Sequence, residues 1–208
     1  MTLLDQLSSK TSGHKTGATR WVTPFCLADP ALLHEIAAGL RQPDALLQAD
    51  CAEVLTMTAE QRPDLVAPFA ADLLPLLDAR ATRARWEAMH ALALIADRVS
   101  EVLTPALPQI RGIIQRDGSI IVRDYAVDAL ARYAAVDAAA ALRVYPLLLE
   151  ALDAWEGRHA GRALPGLTRV GQQLPDLRPA ILAAAAPFQD SGKAVVRKAA
   201  KILQKALA

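Results

Sequence analysis

Aromatic side chains are scarce in this chain of 208 residues: three Trp, three Tyr and three Phe make up 4% of it. Sheets draw on aromatic and β-branched residues, so their scarcity argues for another architecture. Cysteine is scarcer still. Cys26 and Cys51 are too few for a disulfide framework and lack metal-ligand spacing, so both are expected to be reduced, buried and small. No apolar run approaches ~18 residues, which leaves no candidate membrane span. Residues 1–10 show no charged start followed by an apolar stretch, so no signal peptide is expected. Lys and Arg number 23 against 22 Asp and Glu, a net charge of +1. No bulk charge therefore directs the chain to nucleic acid or membrane. A soluble, cytoplasmic protein is the expectation.

Catalytic motifs are missing as well. There is no Gly-x-Ser-x-Gly, no phosphate-cradling glycine loop and no Cys with paired His and Asn. Residues 10–17 loosely resemble a Gly-Lys-Ser/Thr loop, but the glycines are misplaced and no strand precedes them. Neither an enzyme nor a cofactor is expected.

What the chain does have is Ala and Leu, within a hydrophobic share of 53%, and a string that recurs five times. Its clearest copies read Arg85-Trp-Glu-Ala88-Met-His-Ala91-Leu92 and Arg123-Asp-Tyr-Ala126-Val-Asp-Ala129-Leu130; weaker ones begin at Cys51, Ala160 and Ala199. The small residues Ala88 and Ala91, Ala126 and Ala129, Ala160 and Ala163 fall at i and i+3, on one helix face where two backbones can approach. A helical unit at that period cannot bury its apolar face alone and stacks on its neighbours, so no internal boundary is needed. The expected architecture is an all-α, right-handed α-solenoid of about five antiparallel helix pairs over residues 30–208.

Residues 1–29 stand apart as a partly flexible arm. From Asp29-Pro30 onward, prolines punctuate the first helix of each pair: 68, 105, 146 and 179 lie early, whereas Pro75, Pro108 and Pro187 lie deeper and should bend their helices. In the turns, Asp78 precedes Arg85, Asp117 precedes Arg123 and Asp190 precedes Arg197. Each aspartate is positioned to cap the second helix and to reach the arginine of its own or a neighbouring unit. The fourth copy has Gly157 at the arginine position, and Gly161, Pro165, Gly166 and Gly171 weaken its helix, which predicts an irregular repeat.

Paired helices, a period near 37, early prolines, turn aspartates and Val122-Arg123-x-x-Ala126-x-x-Ala129-Leu130 together resemble HEAT repeats. The resemblance implies a protein-binding scaffold whose second helices line a concave face. Aligning the copies places Asp50, Glu87, Tyr125, His159 and Lys198 at one groove position, and Glu53, His90, Asp128, Arg162 and Lys201 at another. Charge along the array passes from acidic to basic: residues 1–104 hold 9 Lys+Arg against 13 Asp+Glu, residues 105–208 hold 14 against 9.

The leading expectation is a non-enzymatic scaffold, a monomer, holding a protein partner through Glu87, His90, Asp124, Asp128, Arg132 and Arg162, with Trp86 as an anchor. The alternative is nucleic-acid binding by the basic residues Arg158, Arg162, Arg169, Arg197, Lys198, Lys201 and Lys205, as in HEAT-like DNA glycosylases. No aromatic-and-aspartate cluster accompanies that patch, and only Trp155 lies near it in sequence. A third class, the HEAT-like lyases that attach bilins, finds no residue pattern here. His34-Glu35 is similar to one of the pairs that build a di-iron site in a HEAT-repeat hydroxylase family, but that site needs several pairs, so no metal is expected. His90 and His159 are read as partner-contacting or surface residues, and His14 as part of a solvated tail.

Overall fold

The structure is a computed structural model that describes residues 2–11 and 17–208. Among the described residues every regular element is helical: α1 (Ser8–Thr11), α2 (Gly17–Ala28), α3 (Leu33–Gly39), α4 (Ala45–Gln61), α5 (Pro63–Val66), α6 (Ala70–Leu73), α7 (Thr82–Ile95), α8 (Ser100–Arg116), α9 (Ile120–Tyr133), α10 (Ala138–Gly157), α11 (Ala160–Gln173), α12 (Arg178–Ala185) and α13 (Ala194–Leu207), with short 3-10 turns between some of them. The five recurring strings fall on α4, α7, α9, α11 and α13, one per helix. Among the described residues no helix is long and apolar enough to cross a membrane.

The chain divides into two compact units, Met1–Val102 and Leu103–Ala208. In the first, α2 packs on α4, α4 on α7, and α3 beside α4. In the second, α9 packs on α11, α11 on α13, and α10 against both α9 and α11. The small residues of the repeated string sit at these contacts. Ala88, Ala91, Ala126, Ala129, Ala160 and Ala163 are buried, and so are Leu92, Leu130 and Leu164. A buried Leu is worth roughly 2–3 kcal/mol by transfer from water, so each repeat's stability rests on its neighbour.

Local signals explain the helix starts. The Asp44 carboxylate accepts from the Leu46 and Leu47 amides, the Ser119 hydroxyl from Val122, and the Asp137 carboxylate from Ala140. The prolines act more strongly than bending. Pro68, Pro75 and Pro187 each lie in a 3-10 stretch, so the run from Pro63 to Asp78 breaks into short α and 3-10 pieces. Pro105 and Pro108 are carried inside a continuous α8.

Three expectations need correction. First, Leu3, Leu7, Ser8, Thr19, Val22 and Cys26 are buried and α2 packs on α4, so much of the N-terminal segment belongs to the first unit. Second, the turn aspartates do not cap the second helices. Ala81 and Lys193, which precede α7 and α13, make no side-chain cap bond, and Ser119 caps α9. The arginines stitch their own turns through main-chain carbonyls: Arg85 to Ala79 and Arg80, Arg123 to Asp117, Arg197 to Ser191. A turn ending in a helix exposes carbonyls that a five-donor guanidinium satisfies well. Third, α11 is continuous, and its glycines serve close approach. A methyl on Gly166 would meet Ala131 Cα at 3.0 Å and Cβ at 2.9 Å, and one on Gly171 would meet Leu207 Cδ1 at 2.5 Å. The irregularity lies just before it, where Trp155, Glu156 and Gly157 have φ of 54°, 57° and 69°.

Candidate partner-binding site

In the first unit, α4 offers Asp50 and Glu53, one turn apart, and α7 offers Arg83. One guanidinium nitrogen, Nη2, meets Asp50 Oδ1 at 2.7 Å and also bonds Glu53 Oε2. Burial would lower the Arg83 pKa, but its bonds to the two carboxylates outweigh that and raise it. Asp50 is fully buried and also accepts from the Ser9 amide at 2.6 Å. Also on α7, Trp86 is half-buried and donates its indole N–H to Glu87 Oε1 at 2.6 Å. Glu87 was expected in the groove but is buried, only 6% exposed, and its main-chain carbonyl accepts from the Thr56 hydroxyl. Desolvation pushes its carboxyl up to about 7, with the Glu53 charge adding to the shift and the Trp86 bond opposing it.

The second unit repeats the device. Asp124 and Asp128, one turn apart on α9, face Arg162 on α11. Arg162 Nε lies 3.3 Å from Asp124 Oδ1, and Nη1 bonds Asp128 Oδ2. Burial raises the Asp128 carboxyl against the pull of Arg162. Tyr125 places its ring centroid 6.0 Å from the same guanidinium. In both units, then, two carboxylates on one second helix hold an arginine of the next, and in the second unit the Tyr125 ring lies alongside. Each such rung carries two carboxylates against one guanidinium.

Behind the second rung lies a buried lock. His159, fully buried, meets Asp124 Oδ1 through Nδ1 at 2.7 Å and Arg123 Nε through Nε2 at 3.2 Å. Arginine has only donors, so Nε2 accepts and Nδ1–H donates to Asp124. The expectation of a surface histidine fails because the left-handed turn at residues 155–157 makes His159 the residue preceding α11 rather than a groove position on it. Arg123 is 2% exposed and lies over the Trp155 ring; desolvation lowers its pKa.

The remaining expected contacts scatter. Arg132 is exposed and His90 half-buried. Of the basic set, Arg162 is engaged by Asp124 and Asp128, Arg169 donates to the Ala131 carbonyl, and Arg197 to Ser191. Arg158, Lys198, Lys201 and Lys205 remain exposed. His34 packs edge-on to Phe69, with ring centroids 5.1 Å apart, while Glu35 accepts from the Leu4 amide at 3.1 Å. Among the described residues no three His, Cys, Asp or Glu side chains group closely enough to hold a metal ion. Cys26 and Cys51 are free and buried, their thiols pushed up by desolvation to about 11 and about 12. His14 and Lys15 lie outside the described residues.

No protein-family model matches the chain, and no curated protein does. Solved structures do. A designed armadillo repeat protein superposes on 99% of this chain and 98% of its own, with a TM-score of 0.72 at 19% identity. Another, in complex with the peptide (KR)4, gives 0.73 at 17% identity over 99% and 98%. The fold is an armadillo-type helical repeat. The expected HEAT-like class is compatible with it. A structure from work on the interaction between cadherin and β-catenin also matches, with a TM-score of 0.66 at 12% identity; the chain spans 99% of itself but 44% of that protein.

Within this armadillo-type repeat, Arg83 is the rung residue that sequence reasoning passed over. Its signal was present: it stands 30 residues after Glu53 and 33 after Asp50, near one repeat length, as Arg162 stands 34 after Asp128. The neighbouring Arg85 drew the reading because it fits the repeated string.

Proposed function

We propose that this chain is a non-enzymatic repeat scaffold that binds a protein partner along the face formed by its second helices, the concave face of this class. The partner segment is rich in Lys and Arg. The observation that carries this reading is the pair of rungs, each holding two carboxylates and one guanidinium, with the Tyr125 ring beside the second. Carboxylates that are buried in the first rung and half-buried in the second, with one surplus negative charge in each, attract a cation through a reduced dielectric, and the Tyr125 face beside the second accepts an ammonium or guanidinium. The first-unit rung, whose Arg83 shares α7 with Trp86, is the stronger, because that unit holds 13 Asp+Glu against 9 Lys+Arg. Asp124, Asp128, Arg162, Arg132 and His90 supply further contacts. One structural neighbour is a designed protein in complex with (KR)4, which supports the same chemistry.

The test is a titration of a fluorescent (Lys-Arg)4 peptide into the protein, with (Asp-Glu)4 of equal length as control. Saturable binding of the basic peptide, weakened about tenfold or more in Trp86→Ala, supports the reading; tenfold corresponds to about 1.4 kcal/mol. Preference for the acidic peptide would transfer function to the lysines of α13 and overturn it.

A further inference from the structure

We propose that the cleft between α8 and α10 binds a phosphorylated side chain of a partner peptide, its phosphate held by Arg111, Arg116 and Arg143. The cleft lies within the second unit and has a volume of about 330 Å³. Helix α8 lines it with Arg111, Gly112 and Arg116, and α10 with Arg143. Glycine at 112 leaves room for Arg116, one turn on, to fold back over it. A methyl on Gly112 would meet Arg116 Nη2 at 2.6 Å.

The charge at the cleft itself selects the occupant. Arg111 donates through Nε and Nη2 to the two Glu150 oxygens, at 2.7 and 2.8 Å, and the Gln115 amide donates to the same carboxylate at 3.1 Å. This clamp fixes the guanidinium and leaves its Nη1 with both N–H groups to donate. Among the described residues neither Arg116 nor Arg143 meets a carboxylate, and Arg116 reaches the Gln115 side chain at 3.5 Å. Three guanidiniums against one carboxylate leave a surplus of two positive charges around one cleft. Cations so gathered repel one another and gain nothing for the fold. A phosphate monoester brings close to two negative charges and three acceptor oxygens at neutral pH, which satisfies them.

Two further features favour a peptide as the carrier. Leu107, Pro108 and Leu147 line the cleft beside the arginines and offer apolar contacts to the residues flanking a phosphorylated one. The adjoining cleft, which shares Arg111 and Gln115, carries Glu150 and Glu156. A nucleic-acid strand with a phosphate at every step would run against those carboxylates, whereas a single phosphate does not. The site is built on first helices and shares no residue with the rungs on the second helices.

Amide shift mapping with the pentapeptide Ala-Leu-phosphoSer-Leu-Ala tests the assignment. The peptide is titrated to ~10 mM, because exposed ion pairs bind weakly. Its unphosphorylated and Glu-substituted counterparts, inorganic phosphate and a short oligothymidylate are the comparisons. The phosphopeptide is expected to shift Gly112, Arg116, Arg143 and Leu147 saturably. The Glu counterpart binds about tenfold more weakly and the unphosphorylated peptide not at all. Arg116→Gln and Arg143→Gln, both at exposed positions, each weaken binding about fivefold. Lys201→Gln leaves it unchanged. Gly112→Ala weakens it by displacing Arg116, while urea unfolding shows no loss of stability, since a helix favours alanine over glycine. Absence of saturable shifts at these amides overturns the proposal, as do equal binding of the unphosphorylated peptide and arginine variants that bind like wild type. Inorganic phosphate binding as tightly as the phosphopeptide overturns it in favour of a free anion. Oligothymidylate binding more tightly at the same amides overturns it in favour of nucleic acid.

Discussion

The guanidinium carbon of Arg123 stands 3.7 Å from the ring centroid of Trp155, whose indole N–H donates to the Ile114 carbonyl at 2.9 Å. Three elements of the second unit, α8, α9 and the end of α10, are thereby joined through one side chain. That side chain sits on a strained backbone, since Trp155 and Glu156 both adopt left-handed φ. Such a conformation costs a non-glycine residue about 1–2 kcal/mol, which the docked ring offsets.

Relieving the strain without touching the ring should therefore stabilise the protein. Glu156→Gly is expected to raise unfolding free energy by about 1 kcal/mol. Trp155→Ala loses the ring and keeps the strain, so it should be less stable than Trp155→Gly by a similar amount. Urea unfolding of the three variants decides the matter; a destabilised Glu156→Gly would show that the left-handed turn is not strained.

Burial, not the number of charges, should set the worth of the two polar assemblies in the second unit. His159→Ala leaves the Asp124 carboxylate and the Arg123 guanidinium without their buried partner and is expected to cost about 3 kcal/mol. Arg162, with a side chain 41% exposed, pairs in partial solvent, and Arg162→Ala should cost no more than about 1 kcal/mol. Equal losses on chemical denaturation would refute this ordering.

Glu87 gives the first unit a defined pH response. Its folded pKa of about 7 lies above the ordinary value of 4.5, so the folded state holds the proton that the unfolded chain releases. The stabilisation is complete below the unfolded value and is lost as pH rises through the folded one. Between pH 5 and 8 this group should remove up to about 3 kcal/mol. Unfolding free energies of wild type and Glu87→Gln across that range should diverge, the variant losing less. Parallel curves would mean that Glu87 is ionised in the folded state throughout.

Much of this fold was legible in the residues because stacking demands small side chains at fixed intervals, and Ala88, Ala126 and Ala160 mark those places openly. The N-terminal helix was not, since Gly17, Thr19 and Pro24 disfavour a helix locally and only tertiary burial of Val22 and Cys26 on α4 secures it. His159 was misplaced because sequence alignment assumes an unbroken helical register, whereas a left-handed turn resets it. Glu87 was misread for a related reason: periodicity assigns a face, but the side chain is buried there and takes the Trp86 indole N–H. The rungs were half visible. Their carboxylates stood out as groove residues, but the link to an arginine one repeat later needed geometry.

The measurement that bears most directly on the central claim is backbone amide shift mapping of the protein titrated with the (Lys-Arg)4 peptide. The predicted outcome is perturbation centred on Asp50, Glu53, Arg83 and Trp86, with a weaker set at Asp124, Tyr125, Asp128 and Arg162. Shifts confined to the 3-10 and α segments between Pro63 and Asp78, or no shifts at all, would contradict the assignment of the second-helix face as the binding surface.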